Sequence, residues 1–254
     1  MAGEAKTSAF MLGTATVMLG AQDDVWDLTP ADHSIGLVKN FRITGEPGFT
    51  ELTQGVKNQI VYSVMTQNTI RASMEAYEYT SKNLAYALGL EGSGLTAQTA
   101  EATLTATAAV DDTDVTVDDE TGFAVDDWVM IQDGAHDKVY VRKVSATAAG
   151  TLTFTKALSA ALPIGATVRK SNMIGVGSKA DQPFLSAKVV GTIADGTEVA
   201  IICPKIRVTN GFSLGFTTEN FDNLPLEFSF YDLTAADTHY ADFPDVQARL
   251  FTRK

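Results

Sequence analysis

The side chains of this 254-residue sequence best suited to metal binding or proton transfer are its three histidines, His33, His136 and His239. Imidazole is a common metal ligand and titrates near neutral pH. Each histidine stands beside acidic residues in a polar stretch, and none has a second histidine at the spacing of a metal site. We therefore expect all three to lie in surface loops.

Carboxylates are the next candidates. The acidic stretch "DDTDVTVDDETGF" (111–123) could suggest a calcium site, but it lacks the alternating ligands, central glycine and closing Glu of a calcium loop. Asp126, Asp127 and Asp133 could act as the paired acids of a glycan hydrolase. Neighbouring acids in loops are common without catalysis, so the sequence favours solvated acidic turns over either kind of site.

Nucleophile and nucleotide motifs are also missing. The one cysteine, Cys203, stands in the apolar run "VAIICPKIRV", where a thiol behaves as a small buried hydrophobe. A lone cysteine forms no internal disulfide, which favours folding in a reducing cytoplasm. The glycine-rich "GVGSKA" (175–180) has its lysine after the serine, the wrong order for a phosphate-binding loop. We expect a protein that is not an enzyme and holds no metal and no cofactor.

Charge limits the possible partners. The chain has 31 acidic and 19 basic residues, a net charge of -12. Such a field repels nucleic acid and anionic membranes, although it permits a surface along which DNA slides without sticking. The N-terminus resembles a signal peptide, but Glu4 offsets Lys6, and Gly13 and Thr14 interrupt its apolar run. No stretch is long enough to span a bilayer, so we expect no membrane anchor.

The chain changes character twice. Residues 97–173 contain several short strand patterns with turn signals between them, which is typical of a small barrel or sandwich. Longer strand patterns precede this segment and resume after it, with a hairpin signal at Asp195–Gly196. The sequence therefore predicts a mainly β fold, in which a discontinuous domain (1–96 and 174–254) is interrupted by an inserted all-β domain.

One helix is convincing, in "TSKNLAYALGL" (80–90). Thr80 or Ser81 can cap its first turn, because their hydroxyls accept hydrogen bonds from free backbone N–H groups. Gly89 stands where a C-terminal capping glycine belongs.

The segment before the helix at 80–90 has a pattern that indicates contact with another chain. Residues 45–55, "GEPGFTELTQG", contain three glycines and a proline, which favours a flexible loop. Residues 56–78 predict a hairpin of two strands with a polar pause at Gln67–Asn68. Apolar side chains occupy both parities of its first strand: Ile60, Tyr62 and Val64 on one, Val61 and Met65 on the other. A strand that is apolar on both faces needs cover on both, and ring assembly would also pair its edges.

Two parts of this sequence resemble phage tail tube (major tail) proteins. The first is "IGLVKNFRI" followed by "ELTQGVKNQIVYSVMTQNTIRASMEAYEYTSKNLAYALG", within residues 35–90. The second is "DGTEVAIICPKIRVTNG" with "LPLEFSFYDL", which is similar to the family's returning strands. The resemblance implies a β-sandwich or split barrel with one flanking helix. It also implies hexameric rings, stacked into a hollow tube that conducts DNA.

The resemblance implies roles for particular residues. The loop at 44–55 would contact the adjacent ring, and the hairpin at 56–78 would line the lumen and pack on the next subunit. The implied contact residues of the loop are Glu46, Pro47, Phe49, Leu52 and Gln54. The implied acids of the lumen, which would keep DNA from sticking, are Glu75, Glu78 and Glu219.

The implied partners are further copies of the chain, the tail terminator, the tape measure protein and tail-tip or baseplate proteins, with DNA passing unbound. The implied location is the virion tail, after assembly in the host cytoplasm. The segment 97–173 is similar to a small β repeat of phage structural proteins and would lie outside the tube, which favours a non-contractile tail. The alternative is a non-enzymatic binding module, such as a capsid decoration protein or a surface adhesin.

Overall fold

A computed structural model of the chain describes residues 13–54, 57–134, 138–177, 181–193, 196–215 and 223–253. Its strands form antiparallel sheets, and the expected mainly β fold is confirmed. No helix among the described residues is both long and apolar enough to cross a lipid bilayer.

The elements follow in chain order. The strands are β1 (Gly13–Ala21), β2 (Val38–Gln54), β3 (Gln59–Ala76), β4 (Glu101–Thr103), β5 (Asp114–Thr116), β6 (Trp128–Gln132), β7 (Val139–Ala148), β8 (Thr151–Phe154), β9 (Thr167–Ser171), β10 (Leu185–Ile193), β11 (Glu198–Asn210), β12 (Leu224–Phe230) and β13 (Arg249–Arg253). The α-helices are α1 (Pro30–His33) and α2 (Ser81–Ala87). Short 3-10 turns occur at Gln22–Asp24 and Tyr240–Asp242.

The chain divides into two compact units. The first comprises residues 1–95 and 176–254, and the second comprises residues 96–175. The position of the second unit on the outside of a tube stays a prediction.

The first unit contains a seven-stranded sheet in the order β1-β10-β11-β12-β3-β2, with β13 beside the first half of β11. One face of this sheet forms the core. β12 alternates as its sequence predicts: Leu224, Leu226 and Phe228 are buried, whereas Glu227 is exposed. The strand β13 was not predicted, because its five residues are all exposed and show no apolar alternation.

Helix α2 packs on this core, and its prediction is confirmed. The Thr80 hydroxyl accepts a hydrogen bond from the Asn83 N–H at 3.1 Å, so the expected N-cap is present. Gly89 adopts a φ of +73°, the left-handed conformation that glycine reaches without strain. The buried Tyr86 donates its hydroxyl hydrogen to the Leu19 carbonyl at 2.9 Å, which ties the helix to β1.

Residues 21–35 link β1 to β2 and contain α1. Pro30 occupies the first turn of this helix, where a missing N–H costs nothing. Val25, just before α1, packs with Ile202, Leu233 and Phe243 in a small apolar cluster.

The prediction of a loop at 45–55 was wrong, because β2 continues to Gln54. Pro47 and two glycines suggested a break, but β2 is an edge strand, and an edge strand tolerates residues that cannot donate to a ladder. The hairpin is therefore formed by β2 and β3 and not within 56–78. β3 runs without a pause through Gln67–Asn68.

Irregular register bends this hairpin. The pairing passes over Val61 and Thr66 on β3, so each is the extra residue of a β-bulge. On β2 the pairing shifts between Lys39 and Arg42, where Asn40 has a φ of +55°. Simple alternation along β3 therefore does not assign the faces of this hairpin.

The second unit contains a six-stranded sheet in the order β4-β9-β6-β7-β8-β5. Leu104 and Val117, which follow β4 and β5, form a bridge that joins the two ends of the sheet. The unit is therefore barrel-like, one of the two forms expected. Val129, Ile131 and Leu152 are fully buried in its core.

Candidate assembly surface

The outer half of the β2–β3 hairpin is the most unusual surface of the first unit. We call residues 45–54 of β2 and 59–68 of β3 the hairpin arm. Ten residues of strand span about 33 Å. Every residue of the arm is exposed apart from Gly48, which is partly buried, and the arm ends at a turn whose Asn58 has a φ of +49°.

Large apolar side chains cover the arm on both faces. Phe49 is 58% exposed and pairs across the ladder with Met65. Leu52 is 63% exposed and pairs with Tyr62, which is 65% exposed. Phe49 and Leu52 are three positions apart on β2, so the two pairs point to opposite faces. Ile60, Val61 and Val64 are also exposed.

Both edges of the arm are open within the described chain. β2 is the last strand of its sheet, so its outer backbone groups have no neighbouring strand. On the other side, β12 pairs only with Arg71–Ala76, so β3 from Gln59 to Ile70 has a second free edge. Free edges with exposed apolar side chains are templates for pairing with another chain.

The residues implied as ring-to-ring contacts all belong to the arm. Phe49 and Leu52 are its exposed apolar side chains, and Glu46, Pro47 and Gln54 are exposed on the same strand. The structure places them on a strand rather than a loop. Their contact with another ring stays a prediction.

The three implied lumen acids have different surroundings. Glu75 lies on the sheet face opposite the core, and hydrogen bonds from Asn40 and Tyr77 hold its pKa below the ordinary value. Glu78 accepts the Leu37 N–H at 2.9 Å, and its carboxylate fills the space that a side chain on Gly36 would occupy. Gly36 has a φ of +79°, which glycine adopts readily, and Glu78 braces the turn that it forms. Glu219 lies outside the described residues.

The acids considered for hydrolysis are engaged in ion pairs. Asp126 pairs with Lys143 at 2.5 Å, and Asp127 pairs with Lys170 at 2.8 Å. Asp133 lies 3.8 Å from Lys138. Each of the three carboxylates therefore has a cation partner within the second unit.

The acidic stretch at 111–123 stabilises turns. Asp112 accepts the Ala109 N–H at 2.6 Å, and Asp118 accepts the Thr103 N–H at 2.7 Å. Asp119 accepts hydrogen bonds from the Thr121 hydroxyl and the Thr121 N–H, and both lower the Asp119 pKa. Across the described residues, no group of three or more His, Cys, Asp or Glu side chains could hold a metal ion.

The histidine and cysteine side chains serve local structure. His33 ends α1 and accepts the Thr29 N–H at 3.2 Å, while His239 lies 2.8 Å from the Asp23 carbonyl. His136 lies outside the described residues. Cys203 is buried, and burial raises its pKa to about 12, so its thiol stays protonated and unreactive.

No family model matches the chain, and no curated protein matches it. Among solved structures, the chain is similar to the Gp54 tailspike of Acinetobacter baumannii bacteriophage AP22, in complex with A. baumannii capsular saccharide. That match has 16% identity and a TM-score of 0.27, and it covers 32% of this chain and 15% of the tailspike chain. A TM-score this low does not establish a shared fold, and this chain spans only a small part of the tailspike's length.

Sequence reasoning missed three arginines on the same sheet, of which Arg42 and Arg71 are exposed and Arg207 is half-buried. Arg42, Arg71 and Arg207 lie on the face opposite the core, as the alternation of buried residues beside them shows. The strands β2, β3, β12 and β11 are consecutive in the sheet, and their register places the three arginines close to one another. No sequence motif marks such a grouping, because β11 is more than 120 residues from β3 along the chain.

Proposed function

We propose that this chain is a non-enzymatic structural subunit of a phage tail tube. Copies assemble into rings, hexameric as the family resemblance implies, and the rings stack into a hollow tube that conducts DNA during ejection. The observation that carries this proposal is the hairpin arm, which has apolar side chains on both faces and, among the described residues, no neighbouring strand on either edge.

The arm is poorly stabilised by the chain that contains it. A two-stranded hairpin is marginal in water unless a third strand or a packed face supports it. Burial of apolar area contributes about 25 cal/mol per Å², so covering Phe49, Leu52 and Tyr62 would favour association substantially. Other copies of the chain can supply both a packed face and a pairing edge.

The resemblance to tail tube proteins supports the same function. The segment that carries it, residues 35–90, contains β2, β3 and α2, and so includes the hairpin arm. In this proposal the arm contacts neighbouring copies, and the tail terminator, tape measure and tail-tip or baseplate proteins bind the tube's ends and interior. DNA passes without specific binding, and the location is the virion tail. Glu75 and Glu219 are the remaining candidates for lumen acids, because Glu78 already braces the turn at Gly36.

Negative-stain electron microscopy of the purified chain at high concentration tests the proposal. We expect hollow tubes or stacked rings, with a lumen wide enough for duplex DNA. A persistent monomer, or a trimer that binds capsids, would overturn the proposal and favour a decoration protein or adhesin. The double variant Phe49→Ser and Leu52→Ser keeps the chain length and removes exposed apolar surface only. Comparing it with the wild type therefore tests whether that surface is needed for assembly.

A further inference from the structure

Three arginines form a group on the sheet face opposite the core of the first unit. Arg71 on β3 stands opposite Thr44 on β2 and opposite Ser229 on β12, and Ser229 stands opposite Arg207 on β11. Neighbouring strands are about 4.8 Å apart, so Arg71 and Arg207 are separated by about 10 Å across Ser229. Arg42 lies opposite Ser73, on the same face. We call Arg42, Arg71 and Arg207 the arginine face.

The guanidinium groups of the arginine face lack carboxylate partners among the described residues. None of the three forms an ion pair or a side-chain hydrogen bond there, and the Nε of Arg207 is buried without an acceptor. Arg207 is held in place by the Phe184 ring, whose centroid is 4.1 Å from its guanidinium carbon. Each guanidinium offers five N–H donors, so this face has a large unused capacity for anions.

The acids nearest in register do not fill that capacity. Glu46 and Glu227 share the face, opposite Thr69 and Ser73, but neither is paired with an arginine. Glu75 receives the Tyr77 hydroxyl at 2.8 Å. Lys205, two residues before Arg207 on β11, shows the contrast, because its ammonium is nearly buried and pairs with Asp237 at 2.8 Å.

The net charge of the chain favours carboxylates of another copy as the anion. Copies with a net charge of -12 repel one another, so a contact between copies is favoured where it places cations against carboxylates. The arginine face also continues into the arm, because Thr44 and Arg71 immediately precede the pair Gly45 and Ile70 in the ladder. An interface that covers the arm would therefore reach these arginines.

We propose that Arg42, Arg71 and Arg207 bind carboxylates of a second copy of this chain in the assembled tube. This inference rests on the proposed function only in that the chain self-assembles. It names the cationic side of the contact between copies, which complements the apolar side provided by the arm.

A matched pair of substitutions tests the arginine face. Arg71→Gln and Lys156→Gln each remove one positive charge from an exposed side chain without a partner among the described residues. We expect Arg71→Gln to raise the concentration needed for assembly by roughly tenfold, and Lys156→Gln by less than about twofold. Added salt should narrow the difference in assembly between the wild type and Arg71→Gln, because it screens the attraction that Arg71 supplies. Thermal unfolding of the unassembled variants checks that both fold.

Cross-linking then identifies the partner carboxylate. Arg71→Lys keeps the charge and introduces an amine, which a carbodiimide joins to a carboxylate as an amide, with the carbodiimide taking up the water that is lost. In tubes mixed from isotope-labelled and unlabelled chains, we expect a peptide from position 71 joined to an Asp or Glu of another copy.

The outcomes separate this inference from the proposed function. Tubes that form equally well in Arg71→Gln and Lys156→Gln would overturn the inference and leave the tube intact. The inference would also be overturned if Arg71→Gln weakened the binding of labelled duplex DNA and left assembly unchanged. A wild type that never assembles would overturn both proposals.

Discussion

The hairpin of β2 and β3 has an inner and an outer half with different surroundings. In the inner half, Ala72, Met74 and Ala76 are at most 4% exposed, because β12 pairs beside them and the core packs against them. In the outer half, the same strand carries Tyr62 at 65% exposure and Ile60 at 57%. Both halves are rich in apolar residues.

The halves therefore differ in how much of their surface other elements bury, and not in their content of apolar residues. The inner half finds its third strand within the chain, whereas the outer half extends past the end of β12. Soluble monomers rarely expose a contiguous apolar surface of this kind without a binding role. The inner half is a folding element, and the outer half is in our account an assembly element.

Removing the outer half should have the largest effect. Replacing residues 49–66 by an Asn-Gly turn rejoins Gly48 to Gln67, which already face each other in the ladder. We expect complete loss of tubes by electron microscopy, because the apolar contact surface is gone. Thermal unfolding of the remaining chain should change little, since the arm is exposed. Tubes that persist in this variant would refute the role of the arm.

Truncating one side chain at a time should destabilise the chain beside the inner half and leave its stability almost unchanged in the outer half. Phe228→Ala, beside the inner half, removes a side chain that is 3% exposed and should cost about 3–5 kcal/mol of unfolding free energy. Tyr62→Ala in the arm should change the unfolding free energy of the unassembled chain by less than about 0.5 kcal/mol. Urea unfolding of dilute protein measures both. Equal losses would mean that the arm is already packed in the free chain.

The sequence predicted the elements that pack beside the inner half better than it predicted the outer half. Alternation in "LPLEFSF" and the cap at Thr80 are local signals, and both identified their elements. The β2 side of the arm, residues 45–54, was predicted as a loop, because Pro47 and the glycines usually interrupt a strand, although an edge strand tolerates them. Whether a strand lies at an edge depends on the order of distant strands, which local patterns do not contain.

The candidate surfaces show the same limit. Phe49 and Leu52 were identified as contacts from the resemblance, and their exposure on both faces of the arm required the register. The bulges at Val61 and Thr66 shift that register, so parity alone does not assign faces. Arg42, Arg71 and Arg207 carry no local signal, because register across four strands brings them together.

The ion pair of Lys205 with Asp237 should affect stability without affecting assembly. Burial alone would raise the pKa of Asp237, but hydrogen bonds from Lys205, Thr234 and Gln22 hold it well below the usual range. Asp237→Asn should cost about 3 kcal/mol at pH 7, because it leaves a nearly buried ammonium unpaired.

The pH dependence of that cost has a definite sign. A carboxyl whose pKa is lower in the folded state stabilises the fold above its unfolded pKa of about 3.9, and this contribution is lost as pH falls below that value. The difference between wild type and Asp237→Asn in urea unfolding should therefore shrink progressively below about pH 4. A difference that stays constant with pH would contradict the assignment.

The cap of helix α2 should have a smaller effect on stability than Phe228→Ala or Asp237→Asn. Thr80→Ala removes the acceptor of the Asn83 N–H and should cost about 1 kcal/mol. Thr80→Ser retains the hydroxyl and is the control, with an expected loss of only a few tenths of that. Thermal unfolding of the unassembled chain distinguishes them. Neither substitution should alter tube formation, since Thr80 caps α2 and lies outside the arm.

Amide hydrogen exchange tests most directly the claim that the arm is the assembly surface. In dilute, unassembled protein we expect residues 45–54 and 59–68 to exchange quickly, and β12 to be protected. In assembled protein the arm should become protected by about tenfold or more, because its free edges and faces are covered. Assembly that leaves the arm exchanging as fast as in the free chain would contradict the account.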